Sequence, residues 1–368
     1  MKNGFALSKD LPLISSTFLP RERETATGAV DDARPDRWGE RVIRFLDKPP
    51  RLAVLDYLYF AGDERFGALG VSTSRDEYRL RSIGPLPRIN QEEEISRLVQ
   101  QILAGEPVPE EQRRLIAPGV TLGGARPKAL LNIGGAQWVA KFNEPGEPID
   151  MPLVEHATMT LAQKAGIRVA ETRAIPLHRG HAVAVKRFDR VADGRRLHAI
   201  SANVALKAAD EELGYPQLAQ LLRRRGVPSH DAMHELYRRM AFNVLIDNTD
   251  DHGENHALLA NDAGLYELSP AFDVLPSAQG LGYQAMIVGS DLADSTVDNV
   301  LSQSTSSDWR AQSTPATKSE ESAAWWTAGT ITSPLLALSG AIRRCNSTSA
   351  RLPRQVGLIR LRARPGLG

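Results

Sequence analysis

A long apolar helix that ends abruptly in a polar, glycine-containing loop constrains this chain more than any other feature. From about Asp231 to Ile246, the residues Met233, Leu236, Tyr237, Met240, Ala241, Val244 and Leu245 recur at helical spacing, which predicts one face buried in a core. The pattern stops at Asn248-Thr249-Asp250-Asp251-His252-Gly253-Glu254-Asn255. A loop that leaves a buried helix has a rigid support, which is what a reactive group needs. The segments "HALLA" and "LYELS" then read as a short hairpin around Asn261 to Gly264. That hairpin returns the chain to Ser269-Pro270-Ala271-Phe272-Asp273. Asp250, Asn255 five residues later and Asp273 23 residues later are therefore expected at one place.

This set of side chains suits phosphoryl transfer. Asp250 can accept a hydrogen bond from an attacking hydroxyl. Asn255 offers a neutral oxygen to a metal and Asp273 a charged one, and magnesium needs few protein ligands beside phosphate oxygens and water. The eight loop residues taken alone also read as an ordinary Asn/Asp/Gly-rich turn. His252 and His256 are four apart, but a zinc pair wants both rings on one helical face, and Gly253 argues against helix there.

Upstream, residues 119–142 read as a glycine-rich loop and a hairpin. Gly134-Gly135 is a two-glycine turn signal between "VTLGGARPKALLNI" and "AQWVAKF". In "TLGGARPK", Gly123 and Gly124 allow close backbone approach to phosphate, and Arg126 or Lys128 adds charge. Two adjacent glycines equally mark a plain turn, and the loop lacks the Gly-x4-Gly-Lys-Ser/Thr of a Walker A motif. Lys141 lies in the apolar strand "WVAKF". It either faces solvent from an edge or pairs with phosphates and a carboxylate of the next helix, for which Glu155 is the candidate. That helix opens at Asp150 and Pro152. Its expected apolar stripe is Leu153, Val154, Ala157, Leu161, Ala162 and Ala165, closed by Gly166.

Further elements are expected from the same patterns. A short helix is expected at "DRWGERVIRFL". Another is expected over 90–104, capped by Asn90 with Glu93 as capping-box partner and striped by Ile95, Leu98, Val99, Ile102 and Leu103. The Pro-containing "EPVPEEQRR" reads as a linker. Arg223-Arg224-Arg225 closes a helix before Gly226, where cations are favoured. No internal repeat is apparent.

Length allows two domains or one large bilobal one. A net charge of +1 provides no global field toward nucleic acid or membrane. Cys345 is the only cysteine, so no intrachain disulfide is possible and a reducing cytoplasm fits. "MKNGFALSKDLPL" lacks the long apolar run of a signal peptide, and no apolar run reaches the ~18 residues of a membrane span. Between Leu301 and Ala350 there are 18 Ser or Thr in 50 residues, and after Val300 the only acidic residues are Asp308, Glu320 and Glu321. The chain ends in the basic "RLPRQVGLIRLRARPGLG", which either contacts nucleic acid or is disordered.

"GGARPKALL", "WVAKF", "VEHATMTLAQKAGI", "VKRFDR", "NVLIDNTDDHGENHALL" and "LSPAFDVLPS" occur in this order. Together they resemble the HipA family of bacterial serine/threonine kinases, the toxins of type II toxin–antitoxin pairs. The resemblance covers roughly Arg34 to Val300, with "PDRWGERV" and "DERFGALGVS" similar to the family's N-terminal subdomain. It implies an α+β, bilobal, protein-kinase-like fold with a strand-rich N-lobe and a helical C-lobe, binding ATP and Mg2+ between them. The implied layout is a truncated N-terminal subdomain over 1–115, the N-lobe over 116–190, the C-lobe over 191–300 and a divergent tail over 301–368.

Carried over by position, the resemblance makes Asp250 the catalytic Asp and Asn255 and Asp273 the metal ligands. Lys141 becomes the phosphate-binding lysine, with Glu155 its ion-pair partner. Gly123, Gly124, Ala125, Arg126, Pro127 and Lys128 form the mobile phosphate loop. Lys186, Arg187 and Phe188 run along the adenine edge, and His252, Gly253 and Glu254 lie near the nucleotide. Thr121 stands where relatives commonly carry an autophosphorylated serine; a phosphate of about −1.5 to −2 charge would expel the loop from the ATP site. Relatives phosphorylate translation components, often aminoacyl-tRNA synthetases. A small helix-turn-helix antitoxin restrains them, and it is the antitoxin that binds DNA.

The chain also departs from the family pattern. The usual strand-rich opening segment is expected to be absent. Lys186 replaces a frequent Glu. The Ser/Thr-rich tail does not continue the acidic helices of relatives; a frame change near residue 303 or divergence would each produce it. A nucleotide- or antitoxin-binding relative without catalysis is one alternative. A small-molecule phosphotransferase is another, although Thr249 stands where those enzymes usually carry histidine.

Overall fold

The computed structural model describes residues 5–20, 26–79, 81, 84–116, 125–192, 194–277 and 279–303. The chain divides into two units, Met1–Ser277 with Leu281–Gln312, and Ala278–Gly280 with Ser313–Gly368. Of the second, only Gln279 and Gly280 are among the described residues.

Helices α1 (Ala29–Asp32), α2 (Arg37–Leu46), α3 (Val54–Phe60) and α4 (Glu92–Ala104) come first. Asp36 caps α2 by accepting from the Gly39 N–H at 2.8 Å, and that helix is the one expected from "DRWGERVIRFL". The α4 stripe is buried as expected at Ile95, Leu98, Val99 and Ile102, and Gly105 ends the helix at φ 73°. Its expected Asn90 cap is corrected. The entry is instead a 3-10 turn, Ile89–Gln91, in which the Arg88 N–H donates to Gln91 Oε1 at 3.1 Å. Nor is 106–114 a free linker, because Glu110–Leu115 forms a 3-10 helix and Val108, Leu115 and Ile116 are buried with the α2 and α4 side chains.

Four strands make the first sheet: β1 (Lys128–Ile133), β2 (Ala136–Lys141), β3 (Thr172–Pro176) and β4 (His181–Lys186). They run antiparallel in the order β1-β2-β4-β3. Ile133 pairs with Ala136 across Gly134 and Gly135, whose φ of 61° and 83° give the tight turn read from the sequence. Strand alternation sends Ala129, Leu131, Trp138, Ala140, Ala182 and Ala184 to one face, where they form a core with α2 and α4. The other face carries Val139, Lys141, Val183 and Val185 toward α5 (Met151–Lys164).

The buried line of α5 differs from the expected stripe. Pro152, Glu155, Thr158, Met159 and Ala162 are buried, while Leu153 is exposed. The sequence stripe followed apolarity alone. The side chain that decides the helix's rotation is a glutamate with a buried cationic partner.

The second lobe has a three-stranded antiparallel sheet, β5 (Ala199–Ser201), β6 (Ala257–Ala260) and β7 (Tyr266–Leu268). Around it stand α6 (Ala202–Ala208), α7 (Tyr215–Arg225), α8 (His230–Leu245) and α9 (Val297–Ser302). Leu206, Leu218, Leu236, Met240, Leu258 and Val288 are fully buried in its core, each worth roughly 1.5–3 kcal/mol. α8 is the helix read from the sequence, and β6 and β7 are the expected hairpin. The architecture is α+β and bilobal, with the four-stranded sheet and its helices in the first lobe and the three-stranded sheet with α6–α9 in the second. Among the described residues, no helix is long and apolar enough to cross a membrane.

Candidate active site

At the end of α8 the chain turns through Asp247, a non-glycine residue at φ 57°. The Asn248 N–H donates to the Asn243 carbonyl at 2.9 Å, which holds the turn to the helix. Ser277 then staples the loop: its Oγ accepts from the Thr249 N–H at 2.9 Å and the Asp250 N–H at 3.2 Å. Its own N–H donates to the Asp247 carbonyl at 3.0 Å. Ser277 lies four residues after Asp273, so the Asp250 and Asp273 segments meet as expected.

Asp250 is exposed, and its carboxylate has no partner among the described residues. Gly253 packs directly on α6, where an added Cβ would lie 2.9 Å from the Asn203 nitrogen. Asn255 Nδ2 donates to the Asp250 carbonyl at 3.1 Å. Its Oδ1 is buried with no hydrogen-bond partner among the described residues. A buried acceptor left unmet costs about 1–3 kcal/mol, so the orphaned oxygen suits a cation. Asn255 lines a small buried pocket with Arg239, Asn243, Asp251, His256 and Phe272.

Behind the loop, Asp251 is buried and accepts from Tyr215 Oη and, at 2.9 Å, from His256 Nε2. Asn243 Nδ2 donates to the same tyrosine oxygen at 3.1 Å. Burial works to raise the Asp251 carboxyl, but His256 and the Tyr215 and Asn243 hydrogen bonds hold it below its ordinary value. Burial and Asp251 push the Tyr215 hydroxyl far up. Asp251, Tyr215 and Ser277 escaped sequence reasoning.

Lys141 joins the lobes. Its Nζ donates to Glu155 Oε1 at 2.7 Å and also to Asp273 Oδ1. Burial opposes the charge, yet the Asp273 and Glu155 carboxylates raise the ammonium above its ordinary range. Burial raises Glu155 against the pull of Lys141. Asp273, which burial also works to raise, is held below its ordinary value by Lys141, with Lys128 and His252 helping. Asp273 itself sits at φ 57°. Beside this triad lies an apolar recess lined by Val139, Val185, Phe188 and Phe272. The Phe188 and Phe272 ring centroids stand 5.2 Å apart.

The other expected site residues divide. Thr121, Gly123 and Gly124 lie outside the described residues. Ala125 is exposed. Arg126 makes a two-pronged pair with Glu147 at 2.9 and 2.8 Å. The Pro127 carbonyl accepts from the Phe142 N–H at 2.9 Å. Lys128 opens β1, is fully buried and bonds to Asp36. The N–H groups of Lys186 and Arg187 donate to the Glu171 and Gln137 carbonyls at 2.8 and 3.0 Å. The Arg187 guanidinium is buried against Asp189. His252 is half-buried with Nδ1 unpartnered among the described residues, and Glu254 is exposed. Lys141, Glu155 and Asp273 are bonded together with His252 and Lys128 near enough to act on Asp273, and Ser277 ties the Asp250–Asn255 loop to the same segment, while Arg126 and Arg187 turn their charges to other partners.

Residues 120–329 match the family described as HipA-like C-terminal domain. The chain belongs to that family. The matched span includes every candidate site residue from Thr121 to Asp273. Over 155 residues the chain is 30% identical to a curated protein of Sinorhizobium fredii named "Putative kinase Y4dM". That match takes in 38% of this chain and 37% of the relative, so it spans well under half of the relative's length. The fold is similar to that of HipA from Shewanella oneidensis MR-1, solved in a complex with HipB and operator DNA. The likeness has a TM-score of 0.61 at 18% identity and covers 96% of this chain and 85% of that one. The Helicobacter pylori proinflammatory kinase CtkA gives a TM-score of 0.35 at 17% identity, over 41% of this chain and 55% of its own.

Proposed function

We propose that this chain is a HipA-type kinase that transfers the γ-phosphoryl group of ATP to a serine or threonine hydroxyl of a protein, with Mg2+. The observation that carries the reading is one buried ammonium, Lys141, bonded both to Glu155 and to Asp273 beside an apolar recess. A lysine so placed can give its charge to phosphates while Glu155 keeps it oriented.

Asp250 accepts the hydrogen bond of the attacking hydroxyl, aims its oxygen at the γ-phosphorus and takes the proton as the new P–O bond forms and ADP leaves. Asn255 Oδ1 and Asp273 would hold the magnesium ion, which supplies positive charge to the phosphates as the β–γ bond breaks. The planar base would stack against Val139, Val185 and the two phenylalanine rings that line the recess. The N–H of Phe188, unlike those of Lys186 and Arg187, bonds nothing among the described residues and faces the task of reading the base edge.

Further parts of the proposal rest on the family. The layout is an N-terminal subdomain over 1–115, lobes over 116–190 and 191–300, and a tail from 301. Thr121, just ahead of the phosphate loop of Gly123 to Lys128, is the regulatory phosphorylation site. The target is a translation component such as an aminoacyl-tRNA synthetase in the cytoplasm. A helix-turn-helix antitoxin binds the chain and brings it to DNA. Labelled γ-phosphate should reach a protein hydroxyl with the native chain, and Asp250→Asn should abolish that while Mg-ATP still binds. Transfer by Asp250→Asn would sink the assignment. Binding without transfer by the native chain would leave a nucleotide-binding module.

A further inference from the structure

The catalytic loop is buttressed from a part of the chain outside the 120–329 span. Residues 5–8 lie on the second lobe: His198 Nε2 bonds to the Leu7 carbonyl at 2.7 Å, and the Phe5 and His198 ring centroids are 5.7 Å apart. Ala29 of α1 is buried in the second lobe's core. From the end of α1, Asp32 reaches Ser201 with both carboxylate oxygens. Oδ2 accepts from the Ser201 N–H at 2.6 Å and Oδ1 from its hydroxyl at 2.7 Å. The Ser201 Oγ in turn accepts from the Val204 N–H at 3.1 Å and so caps α6.

From α6 two contacts run to the loop. The Ala202 N–H donates to the His256 carbonyl at 2.7 Å, and Gly253 packs on Asn203. His256 directly follows Asn255. The Asp32 carboxyl meets the two Ser201 donors with separate oxygens, whereas an amide in its place has a single acceptor oxygen to share between them. Burial pushes the Asp32 carboxyl up to about 7, and the two Ser201 hydrogen bonds oppose that rise.

We propose that Asp32 is a positioning residue for the catalytic loop, acting through Ser201 and α6. The proposal rests on the assignment of the Asp250–Asn255 loop to phosphoryl transfer. It makes Asp32 part of the working enzyme, although it lies outside the catalytic loop.

Hydrogen exchange of the full chain, native against Asp32→Ala and Asp32→Asn, tests it. Peptides covering 202–208 and 253–257 should exchange about tenfold faster in Asp32→Ala, while the 128–141 hairpin keeps its native rate. Asp32→Asn keeps one acceptor and should show a smaller rise in the same peptides, which preserves the test if the alanine variant does not fold. Phosphoryl transfer should lose about tenfold in kcat, with the KM for ATP within about twofold of native, because the nucleotide recess is untouched. Unchanged exchange at 253–257, or an equal rise throughout the chain, overturns the proposal. A native chain without transfer refutes the kinase reading instead, and the exchange pattern still decides the role of Asp32.

Discussion

Replacing Lys141 with methionine leaves Glu155 and Asp273 facing each other without their shared cation. The three side chains are 4%, 2% and 13% exposed, so water screens the pair poorly. Methionine fills most of the lysine stem, and little of the cost comes from a cavity. Removing one partner of a buried ion pair typically costs about 3–5 kcal/mol, a large part of the roughly 5–15 kcal/mol that holds a domain folded.

The loss has a definite pH dependence. Glu155 already stands above its ordinary value through burial, with Lys141 opposing. Without Lys141 it rises further. A carboxyl raised in the folded state keeps its proton where the unfolded chain has lost it, so stability is full at low pH and falls as pH climbs through the folded value. Urea unfolding of Lys141→Met and the native chain at about pH 5 and pH 8, with a shared m-value, should give a deficit of several kcal/mol at pH 8 and a smaller one at pH 5. Adding Glu155→Gln should recover part of the pH 8 loss. A deficit below about 1 kcal/mol at pH 8, or one equal at both pH values, refutes the argument that these charges are buried and mutually dependent.

Gly253→Ala should cost about 1–3 kcal/mol by calorimetry, because its Cβ would stand 2.9 Å from backbone that cannot yield; a neutral effect would mean that α6 and the loop move apart freely. Ser277→Ala strips an acceptor from the buried Thr249 N–H and should cost about 1–3 kcal/mol. It should lower the phosphoryl-transfer rate and leave ATP affinity near native; a change in affinity alone contradicts the staple. Mg-ATP at 100 times its Kd should add about 2.7 kcal/mol to thermal stability, and Asp273→Asn should abolish the magnesium-dependent part of that gain.

The features legible beforehand are those written in near neighbours. The α8 stripe, the two-glycine hairpin turn and the β6–β7 hairpin all follow from residues a few positions apart, whereas the pairing of Lys141 with Glu155, 14 positions on, was one of two readings the sequence left open. Thr121, Gly123, Gly124 and the tail beyond residue 303 lie outside the described residues. The α5 stripe misled because apolarity was counted and a buried glutamate was not. Asn90 misled because a capping pattern also fits a 3-10 entry.

Sequence alone thus determined where helices and turns form and which residue types stand ready for chemistry, since hydrogen bonds and side-chain packing along a helix or hairpin are local. It could not say that Asp250 turns to solvent while Asp251 is sunk against Tyr215 and His256. Nor could it say that Ser277 holds the loop, that Lys128 spends its charge on Asp36, or that Asp32 reaches across 169 positions to Ser201. Those outcomes depend on which buried charge finds a partner, and partners distant in the chain meet only when both lobes have packed.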